Sequence, residues 1–151
     1  METPATLQVE QFVVDKTDTT IRHLATIVVA GNHVLVVIQD GLLTVENVQM
    51  VQKVLNDVQY SRPFYNGLII TSIMEYWGDE QLYLPDEKVL NRQTITLEGL
   101  VLKRVALYKP YEDGEGCLEL CFEDDSIFGW YPVLADFSVS GEFRHAEIAT
   151  W

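Results

Sequence analysis

The sequence predicts an α+β fold: an antiparallel sheet formed by N-terminal and C-terminal strands, with two to three central helices packed on one face. Three observations carry this reading. Runs rich in Val, Ile and Thr fill the first third, apolar residues recur at helical spacing through the middle, and short strand-like runs return in the last third between Gly, Pro and acidic turns. A length of 151 residues suits one domain, residues 1–151.

Taken in order, Leu7–Asp15 (LQVEQFVVD) and Ile21–Ala30 (IRHLATIVVA) have the β-branched and aromatic content of strands. Gly31-Asn32 supplies a turn before His33–Gln39 (HVLVVIQ), so the simplest arrangement is a three-stranded meander. After Asp40-Gly41, Thr44 is placed to cap a helix. Val48, Val51, Leu55 and Val58 repeat at helical spacing and predict a helix over Val45–Val58. Ser61 and Pro63 open a second helix that runs to Trp77, with Gly78 as its stop. Phe64, Leu68, Ile69, Ile70, Ile73, Met74 and Trp77 make this helix apolar on nearly all sides, so it is expected to be the most buried. Asp79–Arg92 reads as a connection, and Leu97–Lys103 as a short helix capped by Thr94 or Thr96. Arg104–Tyr108 and Cys117–Glu123 flank the turn-rich Lys109–Gly116 as a hairpin, and Tyr131–Val139 with Phe143–Thr150 form a second one around Ser140-Gly141-Glu142.

The charge narrows the function classes. Twenty-three acids against ten bases give a net charge of −13. Such a surface repels phosphate backbones and anionic lipid, so neither nucleic acid nor a membrane is an expected partner, and a basic protein is. Met1–Glu10 has neither a basic segment nor an apolar core of the kind a signal peptide needs, which predicts a cytoplasmic protein. Cys117 and Cys121 sit four residues apart on a strand. They share one face at a separation of about 13 Å, too far to bridge, and are expected to be buried free thiols.

Reactive chemistry is sparse. His23, His33 and His145 are the three histidines, and none has metal-ligand spacing with another or with a cysteine. Gly114-x-Gly116 lacks the third glycine and the base of a phosphate loop, so no cofactor is expected. The strongest feature is a base-free window between Lys109 and Arg144 in which acids interleave with aromatics. Tyr111, Glu112, Asp113, Glu115, Asp124, Asp125, Trp130 and Tyr131 form the expected partner-binding surface: aromatic anchors inside an acidic rim. Phe122, Phe128 and Phe137 are read instead as core. The alternative is an uncharacterised enzyme or a divalent-metal protein using the acidic cluster around Asp124 and Asp125.

The run Glu123–Trp130 (EDDSIFGW), with Ala146-Glu147-Ile148-Ala149 after Gly141, resembles a group of bacterial domain-of-unknown-function proteins. Their C-terminal hairpin carries an acid pair, a hydrophobic residue and Phe-Trp-Gly-His, then a strand ending in a small-acidic-hydrophobic-Ala motif. The resemblance spans Ile21 to Thr150, with Asn66–Trp77 and Thr96–Leu102 fitting its middle. Gly129-Trp130-Tyr131 stands where those proteins have Trp-Gly-His, so any role of that histidine is missing here. Some members look like immunity proteins encoded beside toxins. The resemblance therefore implies an immunity protein that neutralises a basic toxin domain.

Overall fold

The computed structural model describes residues 6–16, 21–77, 81–83, 89–91, 100–109, 114–123 and 132–148. A one-turn 3₁₀ helix, Val9–Gln11, precedes strands β1 (Val13–Lys16), β2 (Ile21–Val29) and β3 (Asn32–Gln39). Helices α1 (Val45–Tyr60) and α2 (Arg62–Trp77) follow, then the small strands β4 (Gln81–Tyr83) and β5 (Val89–Asn91). The chain closes with β6 (Val101–Tyr108), β7 (Cys117–Glu123), β8 (Val133–Ser138) and β9 (Phe143–Ile148).

Seven strands form one mixed sheet in the order β1-β2-β3-β6-β7-β8-β9. It is larger than the sequence suggests and not wholly antiparallel. Two antiparallel meanders meet at a parallel junction, where Leu35 to Ile38 of β3 run alongside Arg104 to Leu107 of β6. A parallel pair needs a long crossover, and the helices supply it.

Local chemistry explains most boundaries. Ala30 and Gly31 both have positive φ, 50° and 80°. This is the mirror-image turn that matches the twist of a two-residue hairpin, one residue earlier than expected. The Thr44 hydroxyl accepts from Asn47 N at 3.1 Å, closing the start of α1 as expected. Gly141 turns β8 into β9 at φ 87°, and a Cβ there would lie 3.4 Å from Val54 of α1.

Four sequence expectations are corrected. The first strand breaks into the 3₁₀ turn and the shorter β1, and Leu7 ahead of them is tied to α1 by its N–H to Gln52 Oε1 at 2.6 Å. The connection from Asp79 to Arg92 contains the β4–β5 hairpin, Gln81 opposite Asn91. The short helix near Leu97–Lys103 does not form across its described part. Val101–Tyr108 is strand, with Leu102, Val105 and Leu107 buried and a register irregularity at Leu102–Arg104 that mimics helical spacing. Finally, α2 is not the more buried helix. Val48, Val51, Val54, Leu55 and Val58 of α1 are buried, whereas on α2 Ile69, Ile73 and Met74 are buried and Phe64 is 63% exposed. α2 lies against the outermost strand β9, so part of its apolar surface overhangs the sheet.

The core lies between the helices and one face of the sheet. Val34, Val36, Val105, Leu118, Leu120, Phe122, Val133, Ala135 and Phe137 are all at or below 1% exposed. Phe137 stacks edge-on with Phe143 at 5.6 Å and against Tyr65 at 5.9 Å. Among the described residues no helix is long and apolar enough to cross a membrane.

Candidate functional site

Strand alternation sends every second residue away from the helices. That opposite face, which no helix covers among the described residues and which is called the open face below, carries Arg104, Ala106 and Tyr108 from β6 and Glu119 with the buried Cys117 and Cys121 from β7. Leu134 and Asp136 of β8, with His145 and Glu147 of β9, extend it. Toward the other edge it continues through Leu35, Val37, Leu24, Val28 and Val13. Val13, Val28 and Leu35 are exposed.

The charged centre of this face is a carboxylate pair. Glu119 and Asp136 are direct cross-strand partners, and His145 stands opposite Asp136 on the far side. The Tyr108 hydroxyl donates to Glu119 Oε2 at 3.3 Å, and Arg104 Nη2 lies 3.8 Å from Glu119 Oε1. Asp136 Oδ1 is buried and has no hydrogen-bond partner. Burial, reinforced by the Glu119 charge, pushes the Asp136 carboxyl up to about 6, with Glu147 adding to the rise and His145 and Arg144 opposing it. The same surroundings push the Tyr108 phenol well up, burial first and Glu119 second. Two like charges opposite each other in a half-buried setting favour a shared proton or an incoming cation.

The two cysteines are buried and free, as expected. Burial raises both thiols, and Asp136 adds to the effect at Cys117, so neither is a ready thiolate nucleophile. The histidines do not converge. His23 is on the helix side and meets Asp40 Oδ1 at 3.0 Å, His33 is on the open side, and His145 is at the opposite edge of the sheet. Among the described residues no three His, Cys, Asp or Glu side chains are grouped to hold a metal ion.

One constellation imitates a catalytic triad. Ser72 Oγ lies 3.2 Å from His145 Nδ1, and His145 Nε2 lies 3.8 Å from Glu147 Oε2. Hydrogen-bond accounting gives it a different role. The serine hydroxyl donates its single proton to Ala146 O at 3.0 Å and accepts from Ala146 N at 2.8 Å. The hydroxyl is thereby engaged with the β9 backbone as both donor and acceptor. Ser72 instead satisfies the outward backbone groups of the edge strand β9, the groups that otherwise recruit another strand.

Of the surface expected from sequence, Glu115 alone lies within the described residues. It is exposed and pairs with Arg144 Nη2 at 3.3 Å. Tyr111, Glu112, Asp113, Asp124, Asp125, Trp130 and Tyr131 lie outside them, and with them the alternative metal or enzymatic reading at Asp124 and Asp125. Phe122 and Phe137 are core, as expected, and Phe128 lies outside the described residues. The Glu119–Asp136 pair was missed as a pair. Alternation in CLELCFE and VLADFS places each acid on the face away from its apolar neighbours, but neither strand by itself fixes the register between them. No protein-family model, curated protein or solved structure matches the chain.

Proposed function

We propose that this chain is a protein-recognition domain whose open sheet face receives a basic partner, with an arginine or lysine of that partner seated at Glu119 and Asp136. The observation that carries the reading is Asp136 Oδ1, buried without a hydrogen-bond partner directly across from a second carboxylate. A guanidinium or ammonium seated beside the pair supplies the neutralising charge, with the partly exposed Glu119 as its direct acceptor. Exposed Val13, Val28 and Leu35 on the same face offer apolar contact area around that anchor. The net charge of −13 steers a basic partner at long range and discourages self-association. The resemblance to immunity-like proteins makes a toxin domain encoded in the adjacent gene the first partner to try, with this chain binding and masking it.

The test is association kinetics between this chain and the purified product of the adjacent gene at low and high salt. An electrostatically steered complex loses about tenfold or more in association rate as salt rises. A double substitution, Glu119→Gln with Asp136→Asn, is expected to weaken the complex by at least about tenfold, mainly through faster dissociation. Absence of a complex, a rate indifferent to salt, or wild-type affinity in the double variant would each remove the proposal.

A further inference from the structure

A second feature lies on the helix side of the sheet, where α1 hands over to α2. A cavity of about 290 Å³ opens there, walled by Val29 of β2, Leu55 and Val58 of α1, Leu100 and Phe122. Its lining is mainly apolar, with one cationic group: the half-buried guanidinium of Arg62, which lies 4.8 Å from the centre of the Phe122 ring.

Arg62 is held in place without being neutralised by any of the described residues. Its Nε donates to Asn66 Oδ1 at 2.8 Å and its Nη2 to Leu100 O at 2.7 Å. Both acceptors are uncharged. A guanidinium has five N–H donors, so three are left without an acceptor among the described residues. Nor does any carboxylate among them stand within ion-pair distance of it, in a chain where acids outnumber bases by more than two to one. Desolvation without a neighbouring charge lowers its proton affinity below that of an ordinary arginine. Buried charges are normally paired, because the desolvation penalty is otherwise unrecovered. A planar fork held rigid over an aromatic ring, facing an apolar space, matches a carboxylate.

We infer that this cavity is a binding site for a small organic monocarboxylate, with Arg62 holding the carboxylate and Val29, Leu55, Val58 and Leu100 enclosing an apolar body. The volume holds about ten water equivalents at about 30 Å³ each, which sets the ligand at roughly the size of benzoate. Inorganic phosphate is a poor fit. It has no apolar surface, and the overall negative charge of the protein opposes a dianion. The site is separate from the open-face carboxylates and stands whether or not they bind a partner.

The experiment is an NMR titration of the full chain with benzoate, and with benzyl alcohol and inorganic phosphate as controls. Benzoate is expected to shift Val29, Val58, Leu100 and Phe122 resonances and to bind at least about tenfold more tightly than benzyl alcohol, with phosphate moving none of them. Arg62→Met keeps the length of the side chain and removes its charge. It should retain benzyl alcohol binding and lose at least about tenfold in benzoate affinity. Equal affinity for benzoate and benzyl alcohol, or shifts that map elsewhere, would overturn the assignment, as would silence at these four residues. If Arg62→Met does not fold, the wild-type comparison of the three probes decides alone.

Discussion

The two faces of the sheet are made from the same strands by the same alternation, yet they have opposite characters. On the helix side, residues such as Val36, Leu118, Leu120 and Phe137 are sealed from water. On the open side, their immediate neighbours include Leu35 at 37% exposure and the crowded pair Glu119 and Asp136. The first face is where the fold gains its stability. The second holds groups that cost stability, an unsatisfied carboxylate oxygen and exposed aliphatics, and such groups are the expected signature of a surface kept for something other than folding.

The sharpest way to break this contrast is to damage the covered face. Phe137→Ala removes a ring packed between Tyr65 and Phe143 and should cost about 3–5 kcal/mol, measured as a lower urea midpoint. Next is the edge clamp. Ser72→Ala leaves Ala146 N–H and C=O without their partner and should cost about 1–3 kcal/mol. Faster hydrogen exchange at Ala146, ahead of Val133 or Ala135, would identify the clamp as the cause.

On the open face the sign reverses. Asp136 is surrounded by Glu119 from β7, Tyr108 from β6, and Arg144, His145 and Glu147 from β9. Its folded carboxyl titrates near 6 against an ordinary 3.8, so the folded state holds the proton more tightly than the unfolded chain. Its contribution to stability is therefore most favourable at and below about pH 4 and is lost as pH rises through about 6. Asp136→Asn should stabilise the protein by about 1 kcal/mol at pH 7, the value discounted for partial solvent screening, and the gain should shrink toward pH 4. A gain that is the same at pH 4 and pH 7 would show that charge is not its source. The smallest effect is expected at Leu35. Leu35→Ala should change stability by less than about 1 kcal/mol while weakening partner binding.

Much of the secondary structure was readable from the residues. Valines at helical spacing, the Thr44 cap and the Pro63 opening marked both helices, and β-branched content between Gly, Pro and acidic turns marked β3, β7, β8 and β9. The reading failed where local pattern and tertiary setting disagree. β6 carries an irregularity at Leu102–Arg104 that disguises its period of two, and the uniform apolarity of α2 concealed that it overhangs the sheet edge. The candidate site was legible only as an excess of acid, because cross-strand register is a property of two strands together.

What the sequence determined by itself is the class of object: an acidic α+β chain with free buried cysteines and no metal-ligand spacing among its histidines. Tertiary structure alone decided that the meanders join in parallel through β3 and β6, that Glu119 faces Asp136, and that a half-buried Arg62 lies over Phe122 with no counter-charge among the described residues. The reason is range. Periodicity, caps and turns act over a few residues, whereas these juxtapositions join residues far apart in the chain, and packing of the whole sheet selects them.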